Sequence, residues 1–266
     1  MIFSCHNLSA GYGSRAVLKN VSFSVRPHKL TVLLGKNGCG KSTLVSCINQ
    51  QLSNYTGLIT CCDRDIRLMT PQERARAVAI LPQLLPSPAV TVQELAAFGR
   101  SPYLGFGKRM TEQDRQIVQQ AMTDAGVAGL ADEPVCRLSG GERQKAFLAM
   151  ILAQDTRLVV MDEPTTYMDI AYQAYFLDML RLLKTKHKKT LLVVMHDLPA
   201  ALEAADDVVV LHDGQVRFCG TADDCLGCGV LEDVFGVKQH IFQDNGRQYI
   251  VFDGKAPAVL HESDKI

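Results

Sequence analysis

Short runs of apolar residues, each long enough for one buried strand, recur along the chain. They lie at residues 21–25, 30–34, 78–81, 158–161, 191–195 and 208–211. Helical patterns separate most of these runs, and strands that form continuous apolar segments are typical of a sheet buried on both faces. The pattern therefore predicts an α/β fold with a largely parallel central sheet.

Residues 91–154 have a different pattern, in which one helix follows another. Thr111 and Asp114 fit a capping pair at a helix start, and Gly126 fits a helix stop. Two short β-like runs, 239–242 and 248–252, lie near the end of the chain. We therefore predict one domain over residues 1–266, divided as follows: an α/β core over 1–90 and 155–220, a helical subdomain over 91–154, and a C-terminal segment over 221–266.

Composition narrows the classes of function. The 28 Lys and Arg residues balance the 28 Asp and Glu residues, whereas a nucleic-acid-binding protein usually has a basic footprint, so no nucleic-acid partner is expected. No run approaches the roughly 18 apolar residues of a membrane span, and the first ten residues lack the pattern of a signal peptide. Nine cysteines, an odd number, suit a reducing compartment. These features predict a cytosolic protein whose membrane role, if any, comes through a partner.

Residues 35–42, GKNGCGKS, match the phosphate-loop pattern GxxxxGK[ST] and stand between a predicted strand and a predicted helix at 41–51. In such a loop, backbone N–H groups wrap phosphate oxygens at the positive end of the helix dipole. Lys41 would reach the β and γ phosphates and Ser42 would bind Mg²⁺. The helix start is also expected to lower the pKa of the Cys39 thiol. This motif alone leaves kinases, GTPases and many ATPases open.

Two further features extend the phosphate chemistry. The apolar run 158–161 leads into Asp162 and Glu163, and strand alternation points these carboxylates in opposite directions, so one can serve a metal and the other a water. Ser139, Gly140 and Gly141 precede a predicted helix over 143–154. A Ser-Gly-Gly helix start presents bare N–H groups to an anion. The chain thus carries a second candidate phosphate-binding feature.

Taken together, these motifs resemble the ATP-binding-cassette family of transporter ATPases over residues 1–220. The resemblance implies a P-loop NTPase core of α/β class, with a mainly parallel sheet, an antiparallel β part and an inserted helical subdomain. It assigns catalytic roles to Glu163, Gln83 of the Q-loop and the switch histidine His196, and Mg²⁺ ligation to Ser42, Asp162 and Gln83. The nucleotide-binding residues that it implies are Tyr12, which stacks on adenine, Gly35, Asn37, Gly38, Cys39, Gly40, Lys41, Ser42, Thr43, Ser139, Gly140, Gly141 and the D-loop residue Asp169.

A finer resemblance rests on GRSPY at 99–103, on residues 149–154 and on DEPTTYMDIAYQ at 162–173. These segments are similar to the ATPases of bacterial iron-chelate importers, which take up ferric siderophores, haem or cobalamin. The sequence departs from that subgroup at Met168, where leucine is usual, at Met195, where threonine is frequent, and at Glu142, where glutamine is frequent. The three positions tolerate different side chains, so the departures affect the subgroup more than the activity.

The resemblance also implies partners. The cofactors are ATP and Mg²⁺, and a second copy of the chain is expected in a head-to-tail dimer that encloses ATP between the phosphate loop of one copy and Ser139 of the other. Transmembrane permease subunits and, indirectly, a substrate-binding protein complete the expected assembly, at the cytoplasmic face of the plasma membrane. Two alternatives remain open at this point: a soluble cassette ATPase of DNA repair or translation, and a P-loop kinase for a small molecule.

Overall fold

A computed structural model describes residues 1–105, 107, 109–164, 170–244 and 247–254. The strands in this part of the chain are β1 (Phe3–Tyr12), β2 (Arg15–Val25), β3 (Leu30–Leu34), β4 (Tyr55–Cys61), β5 (Arg64–Asp65), β6 (Val78–Leu81), β7 (Leu158–Asp162), β8 (Thr190–Val194), β9 (Asp207–His212), β10 (Gln215–Thr221), β11 (Val237–Asp244) and β12 (Arg247–Gly254). The helices are α1 (Lys41–Ile48), α2 (Pro71–Ala77), α3 (Val92–Phe98), α4 (Glu112–Asp124), α5 (Gly140–Gln154), α6 (Ile170–Thr185), α7 (Leu198–Ala204), α8 (Ala222–Gly227) and α9 (Val230–Phe235).

The central sheet has the strand order β10-β9-β3-β8-β7-β6. Its five strands from β9 to β6 are parallel, and β10 is antiparallel to β9. A second sheet, β2-β1-β4-β5, is antiparallel, and β11 pairs with β12 in a hairpin. The predicted α/β class with a mainly parallel sheet and an antiparallel part is therefore confirmed.

Alternation along the central strands builds a core on each face of the sheet. In β3, Val32 and Leu34 belong to the cluster that contains α3, α4 and α5, whereas Leu33 belongs to the cluster that contains α1 and the antiparallel sheet. Leu191 and Leu192 of β8 are divided in the same way. Because both faces are covered, the carboxyl edge of the parallel strands is the part of the sheet left open for a ligand.

The helices between β6 and β7 begin with well-formed caps. Thr91 accepts a hydrogen bond from the backbone N–H of Glu94, and Thr111 accepts one from that of Asp114, each within a complete capping box. The predicted Thr111 and Asp114 pair is thus correct, and α4 ends two residues before Gly126, whose φ is +69°. The division into a core, a helical subdomain and a C-terminal segment remains a prediction.

Several elements differ from the prediction. Strand β2 starts at Arg15, well before residue 21, and β1 and β4 were not predicted. The pairing of β1 with β2 shifts register between Cys5 and Leu8 and again near Ala10, which interrupts the apolar alternation that identifies a half-buried strand. Helix α1 ends at Ile48 and not at residue 51. Within the described residues, no helix combines the length and the apolar character that crossing a membrane requires.

Candidate functional site

The glycine loop joins the carboxyl end of β3 to the first residue of α1. Gly40 has a φ of +112° and lies at the N-cap position, where no side chain accepts a hydrogen bond. A Cβ at this position would lie 2.6 Å from a Leu18 methyl group, so glycine is required for packing as well as for the backbone angle. The first turn of α1 contains no acidic residue. Its N–H groups are therefore suited to an anion.

Lys41 lies beneath this loop and is only 5% exposed. Its Nζ donates to the carbonyl oxygens of Gly35 at 2.7 Å and Lys36 at 3.3 Å. The same ammonium lies 3.9 Å from Oε1 of Glu163. A buried cation held by loop carbonyls beside a carboxylate is positioned to bind a multiply charged anion.

The adjacent carboxylates Asp162 and Glu163 have different surroundings. Burial and, to a lesser degree, the charge of Glu163 raise the pKa of Asp162, while Lys41 opposes that shift. Its Oδ1 is buried and has no hydrogen-bond partner among the described residues, and a carboxylate oxygen of this kind suits a Mg²⁺ ion. Glu163 has a φ of +45°, which is strained for a residue with a Cβ, and its N–H donates to the carbonyl oxygen of Val194.

Gln83 and His196 join the site from two other segments. Nε2 of Gln83 donates to Oε2 of Glu163 at 2.8 Å. His196 follows β8, whose carboxyl end is next to that of β7. The resulting cavity of about 520 Å³ is lined by Val17, Asn37, Gly38, Gly40, Lys41, Ser42, Thr43, Gln83, Glu163 and His196. The structure thus brings most of the predicted phosphate, metal and catalytic residues to one carboxyl edge.

Gly35 and Cys39 are closely packed within the glycine loop. A Cβ on Gly35 would lie 2.4 Å from the carbonyl oxygen of Leu211 and 2.5 Å from Sγ of Cys39. The expected lowering of the Cys39 pKa is wrong, because the thiol is buried and burial raises its pKa despite the nearby Lys41 charge. The effect of burial therefore exceeds the combined effect of the Lys41 charge and the backbone hydrogen bonds on this pKa.

Tyr12 lies at the end of β1, where it is 55% exposed and opposite Arg15 of β2. It is not among the residues that line the main cavity. A smaller cleft shares Val17 and Gly38 with that cavity and is otherwise lined by Arg15, Ala16, Lys19, Asp213 and Gly214. The site therefore extends from the glycine loop toward the tip of the β1–β2 hairpin.

Sequence reasoning did not identify Val17 or Asp213 as part of this surface. The turn between β9 and β10 docks on β2, where the N–H of Lys19 donates to the carbonyl oxygen of Gly214 at 2.7 Å. A Cβ on Gly214 would lie 2.0 Å from the carbonyl oxygen of Val17. The Asp213-Gly214 turn was the available signal, but its proximity to the glycine loop depends on strand order.

Ser139 and Gly140 are exposed at the start of α5 and are not among the residues that line the cavity. The Ser139 hydroxyl donates to Oε2 of Glu142 at 2.6 Å, and the Glu142 N–H donates back to the Ser139 Oγ. Hydrogen bonds from Ser139 lower the pKa of Glu142. The bond from the Ser139 hydroxyl has the largest effect, and the bond from the Ser139 N–H follows. Gly141 packs on α6, since a Cβ there would lie 3.1 Å from the Tyr172 ring. Asp169 lies outside the described residues.

Comparisons with known proteins agree with this geometry. A model of the ABC transporter family matches residues 18–166. The chain is 39% identical to the achromobactin transport ATP-binding protein CbrD of Dickeya dadantii (strain 3937), over 89% of this chain and 88% of that protein. It is 37% identical to the iron(3+)-hydroxamate import ATP-binding protein FhuC of Bacillus subtilis (strain 168), over 91% of this chain and 90% of that protein.

Solved structures share the fold. A metal-chelate type ABC transporter in an inward-facing conformation matches with a TM-score of 0.83 and 24% identity, over 97% of this chain and 99% of that chain. The ATP-binding cassette MJ0796, solved as a dimer bound to ADP and phosphate, matches with a TM-score of 0.72 and 21% identity, over 83% of this chain and 99% of that chain. At these identities the likeness concerns the fold.

Proposed function

This chain belongs to the ABC transporter family of ATP-hydrolysing subunits, and we propose that it powers the import of an iron chelate, most specifically a ferric siderophore. The relatives named for achromobactin transport and for iron(3+)-hydroxamate import support this substrate class. Neither a role in DNA repair or translation nor a small-molecule kinase is favoured by these relatives. The single observation that carries the ATP-hydrolysing role is that Lys41, Gln83 and Glu163 meet in one cavity, whereas the substrate class rests on the relatives.

The residues of the cavity suit a magnesium nucleotide. The loop N–H groups and Lys41 would hold the phosphates. Asp162 would offer the metal its buried Oδ1, for which the described residues provide no hydrogen-bond partner, together with the Ser42 hydroxyl. Because Gln83 donates its amide N–H to Glu163, its carbonyl oxygen remains an acceptor that suits the same ion. Bound Mg²⁺ would neutralise charge on the phosphate oxygens.

Glu163 would act on the attacking water. Its carboxylate, oriented by Gln83 and by the Lys41 charge, would take a proton from the water as the water oxygen bonds to the γ phosphorus and the bond to the β-phosphate oxygen breaks. His196, which follows β8 between β3 and β7 in the sheet, would contact the γ phosphate. These assignments are supported by the shared cavity, and hydrolysis follows from the family.

Tyr12 would stack on the adenine. The cleft beside Arg15 and Lys19 supports this role, because it extends the main cavity toward the end of β1. The D-loop residue Asp169 stays a predicted nucleotide-binding residue. We propose the head-to-tail arrangement for that dimer, since Ser139, Gly140 and Gly141 are apart from this chain's own cavity and would bind the nucleotide of the other copy.

A groove near the helical insertion suits a permease. It has a volume of about 420 Å³ and is lined in part by Asn49, Gln51, Pro71, Arg74 and Pro82. Gln83 directly follows Pro82 of this groove, and the next residue, Leu84, is 80% exposed. A permease helix in this groove would be close to the glutamine that holds Glu163. We therefore propose a peripheral location at the cytoplasmic face of the membrane, with a substrate-binding protein acting on the other side.

Uptake of radioiron tests the proposal. Cells from which the gene has been deleted should lose uptake of ferric hydroxamate or catecholate siderophores, and the unmodified gene should restore it. Lys41→Ala should fail to restore uptake, because it removes the charge that holds the phosphates, whereas Lys238→Ala, which changes an exposed lysine of β11, should succeed. Uptake that persists in the deletion strain at the parental rate for every such chelate would refute the substrate class.

A further inference from the structure

Gln144 lies in the second turn of α5 and is 3% exposed. Its Nε2 donates to the backbone carbonyl oxygen of Pro164, twenty positions along the chain. Pro164 directly follows Glu163, the residue with the strained φ of +45°. The amide of Gln144 therefore joins the helix that begins at Ser139 to the backbone beside the proposed catalytic carboxylate.

The stability of α5 does not explain a buried amide at this position. Oε1 of Gln144 is buried without a hydrogen-bond partner among the described residues, which disfavours the fold. The neighbouring buried positions of α5 are apolar, including Ala146, Phe147 and Leu148. A methionine would fill a similar volume without an unpaired oxygen. The requirement at this position is thus for the hydrogen bond to Pro164.

A second contact holds the start of α5 to the same part of the chain. Gly141 packs against the Tyr172 ring at the beginning of α6. A Cβ on Gly141 would lie 3.1 Å from this ring, so the ring would have to shift. Pro164 and Tyr172 lie on either side of residues 165–169. The first two turns of α5 therefore contact the chain before and after that segment, and movement of the helix must act on both points.

We propose that Gln144 is a positioning residue that orients Glu163 according to the position of α5. This inference rests on the proposed function, in which Ser139, Gly140 and Gly141 bind the nucleotide of the second copy. Gln144 is five residues from Ser139, or roughly 7.5 Å along the helix axis at 1.5 Å per residue. A nucleotide bound by Ser139 in one site would thereby control the carboxylate of the other site.

The substitution Gln144→Met tests this role, because it keeps the volume and removes the donor. We expect kcat for ATP hydrolysis to fall roughly tenfold to a hundredfold through misplacement of Glu163. The KM for ATP and the nucleotide affinity of the monomer should stay within about twofold, since Gln144 does not line the cavity. Steady-state hydrolysis and calorimetry measure these quantities.

The matched control is Gln239→Met in β11, where the amide donates to the carbonyl oxygen of Leu226 in α8 at 3.0 Å. This variant loses a comparable bond between elements but should keep its kcat. An unchanged kcat in Gln144→Met, or equal losses of kcat in both variants, would overturn the proposal. If Gln144→Met does not fold, Gln144→Asn, which withdraws the amide by one methylene, should show the same fall in kcat alone. Absence of hydrolysis in the unmodified chain would instead refute the proposed function.

Discussion

At the level of single residues, the neighbouring carboxylates Asp162 and Glu163 have surroundings that suit different roles. Asp162 ends β7 with a raised pKa and with a buried oxygen that has no hydrogen-bond partner in the described part of the chain. Glu163 leaves the strand with a positive φ and receives the amide of Gln83. The change in backbone angle between these residues points the second carboxylate toward Lys41 and the cavity. A metal ligand and a base can therefore occupy consecutive positions.

Glu163→Gln should separate nucleotide binding from hydrolysis. The amide keeps the shape and can still accept the hydrogen bond from Gln83, but it cannot take a proton from water. We expect kcat to fall roughly a hundred- to ten-thousandfold, with nucleotide affinity preserved and an ATP-bound dimer accumulating. Phosphate release and gel filtration measure the two effects. Glu133→Gln, at an exposed glutamate, serves as the control, and a Glu163→Gln variant that remains monomeric and hydrolyses ATP at the unmodified rate would exclude the proposed base.

The parts of the site that are contiguous in sequence were predictable. The glycine loop and the Asp162-Glu163 pair each join a strand to a following segment, so local pattern was enough to mark them. Gln83 and His196 were assigned through family resemblance. Val17, Asp213 and Gln144 could not be found in either way, because their positions depend on the docking of the β9–β10 turn and on one side-chain hydrogen bond between distant elements.

At the level of elements, the GRSPY segment connects three helices. Arg100 is buried, donates from Nε to Asp114 of α4 at 2.9 Å and from a terminal nitrogen to the carbonyl oxygen of Ala153 in α5 at 2.9 Å. Its guanidinium carbon lies 4.0 Å from the ring centroid of Tyr103. The Arg100 guanidinium thus connects the end of α3 to α4 and α5. These contacts give a physical reason for the GRSPY motif, which the sequence showed only as a resemblance.

Asp114→Ala should destabilise this arrangement. It leaves Arg100 buried without its counter-ion, and breaking a buried ion pair costs about 3–5 kcal/mol. Hydrogen bonds from Thr111, followed by the Arg100 guanidinium, lower the pKa of Asp114. A lowered pKa in the folded state means that the stabilisation is present above the unfolded pKa, near 4, and is lost as pH falls through the folded pKa.

Urea unfolding at several pH values measures this loss of stability. The difference between the unmodified chain and Asp114→Ala should be full near neutral pH and should narrow below about pH 4. Glu112→Ala, in the same first turn of α4, removes an exposed ion pair with Arg115 and should have little effect. Equal unfolding midpoints for the Asp114→Ala variant and the unmodified chain at neutral pH would contradict the importance of the buried pair.

The fold itself was predictable where one apolar run formed one buried strand. Strands β6 and β7 satisfy this condition, since nearly all of their residues are buried. The antiparallel sheet does not, because the β1–β2 pairing contains register shifts and many of its side chains are exposed. Its strands are recognised by their partners across the sheet, which local periodicity does not report.

At the level of the whole molecule, the two candidate phosphate-binding features lie in different places. The glycine loop lines the cavity, whereas Ser139 caps α5 on the surface and is not part of the cavity lining. A two-fold pair of copies in head-to-tail contact can bring the glycine loop of one copy to the start of α5 in the other, and the symmetry would produce this contact twice. Each complete site would then contain Lys41 from one copy and Ser139 from its partner.

This arrangement predicts that two inactive variants restore activity when mixed. Lys41→Ala should lose nucleotide binding at its own loop, and Ser139→Arg should keep monomer binding but place a bulky side chain against the other copy's nucleotide. In a mixed dimer, the loop of the Ser139→Arg copy meets the intact Ser139 of the Lys41→Ala copy, so one of the two sites is complete. Because neither variant dimerises alone, the dimers that form in an equal mixture are mixed, and each holds one complete site of two, which gives up to roughly half of the unmodified number of complete sites. We therefore expect ATP hydrolysis and ATP-driven dimers in the mixture but in neither variant alone.

Thr70→Arg, which removes the equivalent cap from α2, controls for the loss of a helix cap and should dimerise by itself. Full activity of Ser139→Arg alone, or no dimers in the mixture by gel filtration, would show that the two features do not enclose a shared nucleotide.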